Sequence, residues 1–217
     1  MPTFSSQINS KLPNATTSIF ALMSGLANEQ NALNLSQGFP NFPVTKELID
    51  LVTKAMNNGF NQYAPMTGII ELREVIADKF SSLYGINYNP ETEVTITAGA
   101  TQAIYSIISS FIQKDDEVII FAPAYDCYDP AIKLNGGKTI EIELHAPEFD
   151  VDWNKVKESI TDKTKMIIIN TPHNPSGTVL SEKDMNTLEK LVRGTNIIIL
   201  SDEVYEHIIF DKIKHQS

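Results

Sequence analysis

Asp202 closes an apolar run, residues 197–200, and Tyr205 follows it by three positions. Four apolar residues that stop at Ser201, Asp202 and Glu203 read as a strand buried on both faces that delivers a carboxylate at its end. A carboxylate there costs desolvation energy unless a cation meets it, so the sequence asks which cation that is. Other stretches carry groups of a matching kind. "TAGATQA" (97–103) puts small residues and Thr101 where a helix begins, and the free N–H groups of such a start form an anion site. Taken alone, an ordinary strand-to-helix turn accounts for it equally well. "APAYDCYDP" (122–130) offers the flat face of Tyr125, although a lone aromatic in that place is more often a core residue. "NTPHNPSG" (170–177) holds two prolines and a glycine, so it is rigid and can fix Asn174 as a donor or acceptor. His173 has the chemistry of a general base, but it reads better as a solvated loop histidine.

The elements that must position these groups follow from periodicity. Residues 93–97, 116–122, 136–144, 165–170 and 196–200 read as strands, and helices are predicted over about 100–112, 126–134 and 181–193. Strands separated by helix-length segments give an α/β fold with a mostly parallel sheet and helices on both faces. Ligands of such sheets bind outside the carboxyl ends of the strands, which is where the groups above fall. Upstream, residues 45–59 and 68–85 show helical spacing, with Thr45 as N-cap and Gly59 as stop of the first. Both are expected on the surface with one apolar face, which puts Arg73 on a surface helix, as Arg193 is on a later one. Residues 1–43, with four prolines and one short helix, read as an N-terminal arm and minor-domain segment, and residues 44–217 as a large domain.

Composition narrows the partners. A chain of 217 residues with 42% apolar content is globular, and its net charge of -10 is a poor match for nucleic acid or anionic lipid. The single cysteine, Cys127, allows no disulfide within the chain and no cysteine zinc site, suits a reducing compartment, and reads as a small buried hydrophobe. No metal site is expected. "SIFALMSGLA" (18–27) has the apolar character of a signal sequence, but with only Lys11 upstream it reads as an amphipathic helix. A cytoplasmic protein without membrane attachment is expected.

Together the strand ends offer an anion cradle, a flat aromatic, an amide, a carboxylate and a phenol. Pyridoxal 5'-phosphate, with a phosphate, a flat ring, a ring hydroxyl and a protonatable ring nitrogen, answers all of them. Six stretches in order, "LSQGFPNFP" (35–43), "NQYAPMTG" (61–68), "TAGATQA", "YDCYDP" (125–130), "NTPHNPSG" and "SDEVYEH" (201–207), resemble the class I aminotransferases of the fold type I pyridoxal-phosphate enzymes. The likeness is nearest to bacterial methionine aminotransferases, with kynurenine aminotransferases next, and runs from about residue 34 to residue 211. It implies a fold type I large domain, amino-acid and 2-oxo-acid substrates and ping-pong transfer of the amino group. It implies that Asp202 pairs with the ring nitrogen, that Asn174 and Tyr205 bond the ring hydroxyl, and that Tyr125 stacks on the ring. Gly99, Ala100 and Thr101 hold the phosphate. Tyr63 reaches the phosphate of a second subunit's cofactor, so a homodimer with shared sites is implied, and Gly38 and Asn174 lie by the substrate carboxylate.

The family's Schiff-base lysine falls after the Asp-x-x-Tyr motif in a serine-rich turn, and none of the lysines here has that setting. It is expected beyond Ser217, as is a substrate-binding arginine, since Arg73 and Arg193 sit on helices. The chain is therefore expected to be the N-terminal half of an enzyme, inactive alone and with an unpaired sheet edge. A carbon–sulfur β-lyase, a non-catalytic cofactor-binding module and a nucleotide-binding α/β protein are the rival readings. The last is disfavoured because no glycine-rich fingerprint is present.

Overall fold

The structure is a computed structural model that describes residues 9–13, 16–38 and 40–217. Its described residues divide into two units, one within 16–96 and one of 97–217 with 9–13. The smaller unit carries three helices, α1 (Ile19–Glu29), α2 (Lys46–Asn57) and α3 (Ile70–Tyr84). Ser18 caps α1 by accepting from Ala21 N–H, and Thr45 caps α2 by accepting from Leu48 N–H. Each offers a hydroxyl to a first-turn donor that has no partner inside the helix. Gly85 ends α3 in the left-handed conformation.

Two expectations for this unit fail. The predicted strand 93–97 does not form; Ile96 N–H bonds Thr67 C=O across one rung, and the sheet has no place for the segment. Its β-branched residues favour extension, but a strand needs a ladder partner, and none runs beside it among the described residues. Arg73 is buried, not on the surface of its helix. Its guanidinium donates to the carbonyls of Gly68 (3.1 Å), Pro90 (2.6 Å) and Glu91 (3.3 Å), which gives the charge the partners that burial requires. Gly68 itself must be glycine: its φ is +91°, and an added Cβ would lie 2.4 Å from the Ile96 side chain.

The larger unit runs α4 (Ala100–Phe111), β1 (Glu117–Ala122), α5 (Tyr128–Leu134), β2 (Lys138–Glu143), α6 (Trp153–Ser159), β3 (Thr164–Asn170), α7 (Glu182–Val192) and β4 (Ile198–Asp202). The helix α6 has no counterpart among the predicted elements; the one local sign of it is Asp152, which caps it. All pairings are parallel, in the order β2-β1-β3-β4. The α/β fold with a parallel sheet read from the sequence is thus present.

Alternation along the strands sorts the core. Val118, Ile120, Met166, Ile168 and Leu200 face one side with Ile104, Ile108 and Ile112 of α4 and its C-terminus and Tyr128, Ala131 and Ile132 of α5. Ile119, Phe121, Ile142, Ile167 and Ile169 face the other, against Val156 of α6 and Leu188 of α7. Both faces of β1 and β3 are therefore apolar, which is why these strands read as unbroken hydrophobic runs. At ~25 cal/mol per Å² of apolar surface, fully burying one such Ile contributes about 1.5–3 kcal/mol. Because β2 lies on one side of β1 and β3 on the other, the chain reverses direction between them, and the crevice at their carboxyl ends is the expected ligand position.

Candidate active site

A cavity of about 280 Å³ opens at the carboxyl ends of the strands. Its lining includes Gly99, Ala100, Thr101, Tyr125, Asn174, Asp202 and Tyr205, all singled out from sequence, together with Asn170, which was not. Gly38 and Tyr63 belong to the unit within 16–96; both are exposed, and open space surrounds Gly38.

One wall is the start of α4. Its N-cap, Gly99, has φ +90° and no side chain to cap the first turn, whereas α1, α2, α6 and α7 are capped by Ser18, Thr45, Asp152 and Ser181. The first-turn N–H groups of α4 have no acceptor inside the helix, and with the helix dipole they favour an anion by ~0.3–1 kcal/mol, up to about 2 when partly buried. The Thr101 hydroxyl lies 3.4 Å from that of Tyr125.

The opposite wall is built by β3 and β4. Asn170 and Asp202 are register partners at the ends of these strands. The Asn170 side chain donates to Asp202 C=O (2.9 Å) and accepts from Asn174 N–H (2.7 Å), so one buried amide ties the strand end to the loop that carries Asn174. Thr171 N–H also donates to Asp202 C=O (3.0 Å). The Asp202 carboxylate accepts from the Tyr128 hydroxyl (2.6 Å) and from Val204 N–H (3.3 Å). Among the described residues no cation pairs with it, and the cavity contains no lysine or arginine. Burial and then the hydrogen bond to Asp202 push the Tyr128 hydroxyl far above the ordinary phenol range, so it remains a neutral donor.

His173 is buried, contrary to the expectation of a solvated loop histidine. Its Nδ1 lies 2.8 Å from the Ser176 hydroxyl, which is 2.7 Å from that of Thr178. Burial lowers its pKa below 6.5, against the opposing effect of backbone hydrogen bonds at Phe121 and Pro123. The neutral ring fastens its loop to the end of β1, and polar partners replace the water expected around it. Cys127 is half-buried against the core, and its thiol is pushed up to about 12 by burial, with Asp126 and Asp202 adding to the effect.

Sequence reasoning missed Asn170 and Tyr128. Asn170 ends its apolar run as Asp202 ends the next one, and that parallel was the available signal. Tyr128 follows Tyr125 by three residues at a helix start, a spacing that brings two rings together; their centroids are 5.9 Å apart at 77°.

A helix start with free N–H groups facing a carboxylate across the strand ends of a parallel α/β sheet is the arrangement in which doubly wound proteins hold small molecules. The family described as "Aminotransferase class I and II" matches residues 30–217, and the chain belongs to it. It is 46% identical over 208 residues to the methionine aminotransferase of Escherichia coli (strain K12), covering 96% of this chain and 54% of that protein. It is 36% identical to a probable N-succinyldiaminopimelate aminotransferase of Mycobacterium tuberculosis, covering 95% and 52%. Among solved structures, the Escherichia coli protein YbdL, reported with a methionine aminotransferase function, superposes with a TM-score of 0.94 at 45% identity, covering 98% of this chain and 56% of that one. Thermus thermophilus aspartate aminotransferase with maleate gives 0.89 at 28%, with the same shares. The chain thus spans about half the length of the relatives it matches. No helix among the described residues is long and apolar enough to cross a membrane.

Proposed function

We propose that the protein, at the length of its relatives, is a pyridoxal-phosphate-dependent aminotransferase. It moves the amino group of methionine, or of another large neutral or aromatic amino acid, to a 2-oxo acid in two ping-pong half-reactions. The observation that carries this is the Asp202 carboxylate, without a cation of its own, across one cavity from an uncapped helix start. The donor set fits the cofactor: an anion end, an aromatic face at Tyr125, an amide and a phenol at Asn174 and Tyr205, and a carboxylate that no cation among the described residues meets. The cofactor, when bound, supplies a protonated ring that withdraws electrons from the amino acid's Cα.

Asp202 holds the ring nitrogen in its protonated form; a contact of opposite charge typically shifts such a group by ~1–3 units, each worth about 1.4 kcal/mol. Asn174 and Tyr205 orient the ring through its hydroxyl, and Tyr125 covers one face. Gly99, Ala100 and Thr101 hold the phosphate with backbone N–H groups and a hydroxyl. Gly38 leaves room for the substrate carboxylate, to which Asn174 also donates. Tyr63, fully exposed in its own unit, serves the phosphate of a second subunit, which makes the working form a homodimer. A cytoplasmic location completes the proposal. Methionine is preferred because identity is higher to the methionine aminotransferase than to the M. tuberculosis relative.

The test is transfer of ¹⁵N from labelled methionine to a 2-oxo acid, read by mass spectrometry with and without added pyridoxal phosphate. Labelled amino acid formed only when the oxo acid is present supports the proposal. Pyruvate and ammonia released from a cysteine conjugate without an acceptor refute it in favour of a carbon–sulfur β-lyase, and no conversion of any amino acid refutes both.

A further inference from the structure

Tyr128 lies just outside the cavity lining yet touches two groups that line it. Its hydroxyl donates to Asp202 Oδ2 at 2.6 Å, and its ring meets that of Tyr125 edge-on at 5.9 Å. It is 3% exposed and locked in the core by Ala131, Ile132 and Leu200. One buried residue therefore touches both a carboxylate and an aromatic face. We propose that Tyr128 is a positioning residue that aims the Asp202 carboxylate at the ring cation of the ligand and sets the tilt of Tyr125 over the same ring. This rests on the pyridoxal-phosphate reading of the site.

The hydrogen bonding of Asp202 shows why such a residue is needed. An ionised carboxylate has about four acceptor positions, and a strand-end side chain turns about two torsions. Tyr128 fills one position on Oδ2 and Val204 N–H one on Oδ1, so the rotation of the carboxylate plane is fixed and the remaining positions are left for a ligand. A phenol suits the task because it donates without charge: a lysine there would neutralise Asp202 and take the place of the ligand's cation. Its depressed acidity keeps the proton on Tyr128 oxygen over the whole working range. Edge-to-face contact with Tyr125 constrains the second ring by the same anchor.

The experiment compares pyridoxal phosphate with its 1-deaza analogue, in which C–H replaces the ring nitrogen, as ligands of the full-length apoprotein, with affinity read by fluorescence. Tyr128→Phe keeps the ring contact and removes the donor. It is expected to weaken pyridoxal phosphate binding by about tenfold, which corresponds to about 1.4 kcal/mol, and to leave the analogue within about twofold. In an Asp202→Asn background the same change is expected to add nothing beyond about twofold, because the charge it aims is gone. Equal weakening of both ligands indicates a general packing role and overturns the inference, as does no change in either. If the wild type binds neither ligand, the cofactor reading itself fails and takes this inference with it. Tyr128→Leu, read on the same two ligands, replaces the Phe variant should that not fold.

Discussion

Truncating Asn170 to Ala tests whether one buried amide joins the strand end to the site loop. The change removes a donor to Asp202 C=O and an acceptor of Asn174 N–H. The Asp202 carbonyl keeps the Thr171 N–H, so its loss is a single net hydrogen bond, about 0.5–1.5 kcal/mol. The Asn174 N–H is left without an acceptor, which costs about 1–3 kcal/mol. The expected destabilisation is therefore about 1.5–4.5 kcal/mol. Urea unfolding followed by the fluorescence of Trp153, the single tryptophan of the chain, measures it. Asn170→Asp separates the two bonds: it preserves an acceptor for Asn174 but turns a carboxylate oxygen toward the Asp202 carbonyl. At pH 7 it is expected to cost at least as much as Ala, and to recover relative to wild type in acid, where a protonated carboxyl regains the donor. An Ala variant within about 0.5 kcal/mol of wild type, the range of an ordinary surface change, refutes the bridging argument.

Further outcomes follow from the same structure. His173 has a folded pKa lowered from 6.5, so the stability it contributes is fully present above that value and is lost as pH falls through the folded value; His173→Asn should remove that part of the slope in a pH series of melts. For Asp184, burial works to raise the pKa, but hydrogen bonds from Ser181 and the Trp153 indole, 2.8 Å away, outweigh it and hold the carboxyl below 3.8; its contribution is present above 3.8 and lost below, and Trp153→Phe should make acid unfolding begin at higher pH. The Cys127 thiol, pushed up to about 12, should react with a disulfide reagent at pH 8 at least ~100-fold more slowly in the native protein than in urea, and equal rates would contradict its burial. In the full-length enzyme, Asp202→Ala should lower transamination by orders of magnitude, and activity within about threefold of wild type would falsify its assignment to the ring nitrogen.

The sequence was most legible where side-chain period and burial agree. The runs 118–122 and 166–169 are apolar on both faces, so strand, parallel pairing and depth all follow from one pattern. The groups at the strand ends were legible for the same reason: a polar side chain that closes such a run adds nothing to the packing, which marks it for chemistry. Legibility failed where a residue's state depends on distant partners. Arg73 looks like a surface residue until the carbonyls of Pro90 and Glu91 come within reach, and His173 looks solvated until the end of β1 encloses it. Residues 93–97 have strand composition, yet pairing is a property of two segments and cannot be read from one. Tyr128 escaped notice because its partner, Asp202, is 74 positions away.

The pairing of Asn170 with Asp202 makes the alignment of β3 and β4 a determinant of chemistry as well as of packing. Side chains alternate with a period of two, so sliding one strand by a single position would bring Ile169 to the place of Asn170 and turn the amide to the opposite layer. The same slip would leave Ile167 and Ile168 in apolar surroundings, since both faces of β3 are apolar, but would carry Lys165 to the wholly enclosed place of Met166. The charge at one end of the strand thus acts as a proofreader for the amide at the other: a misaligned β3 would bury Lys165 before an ill-formed site could exist.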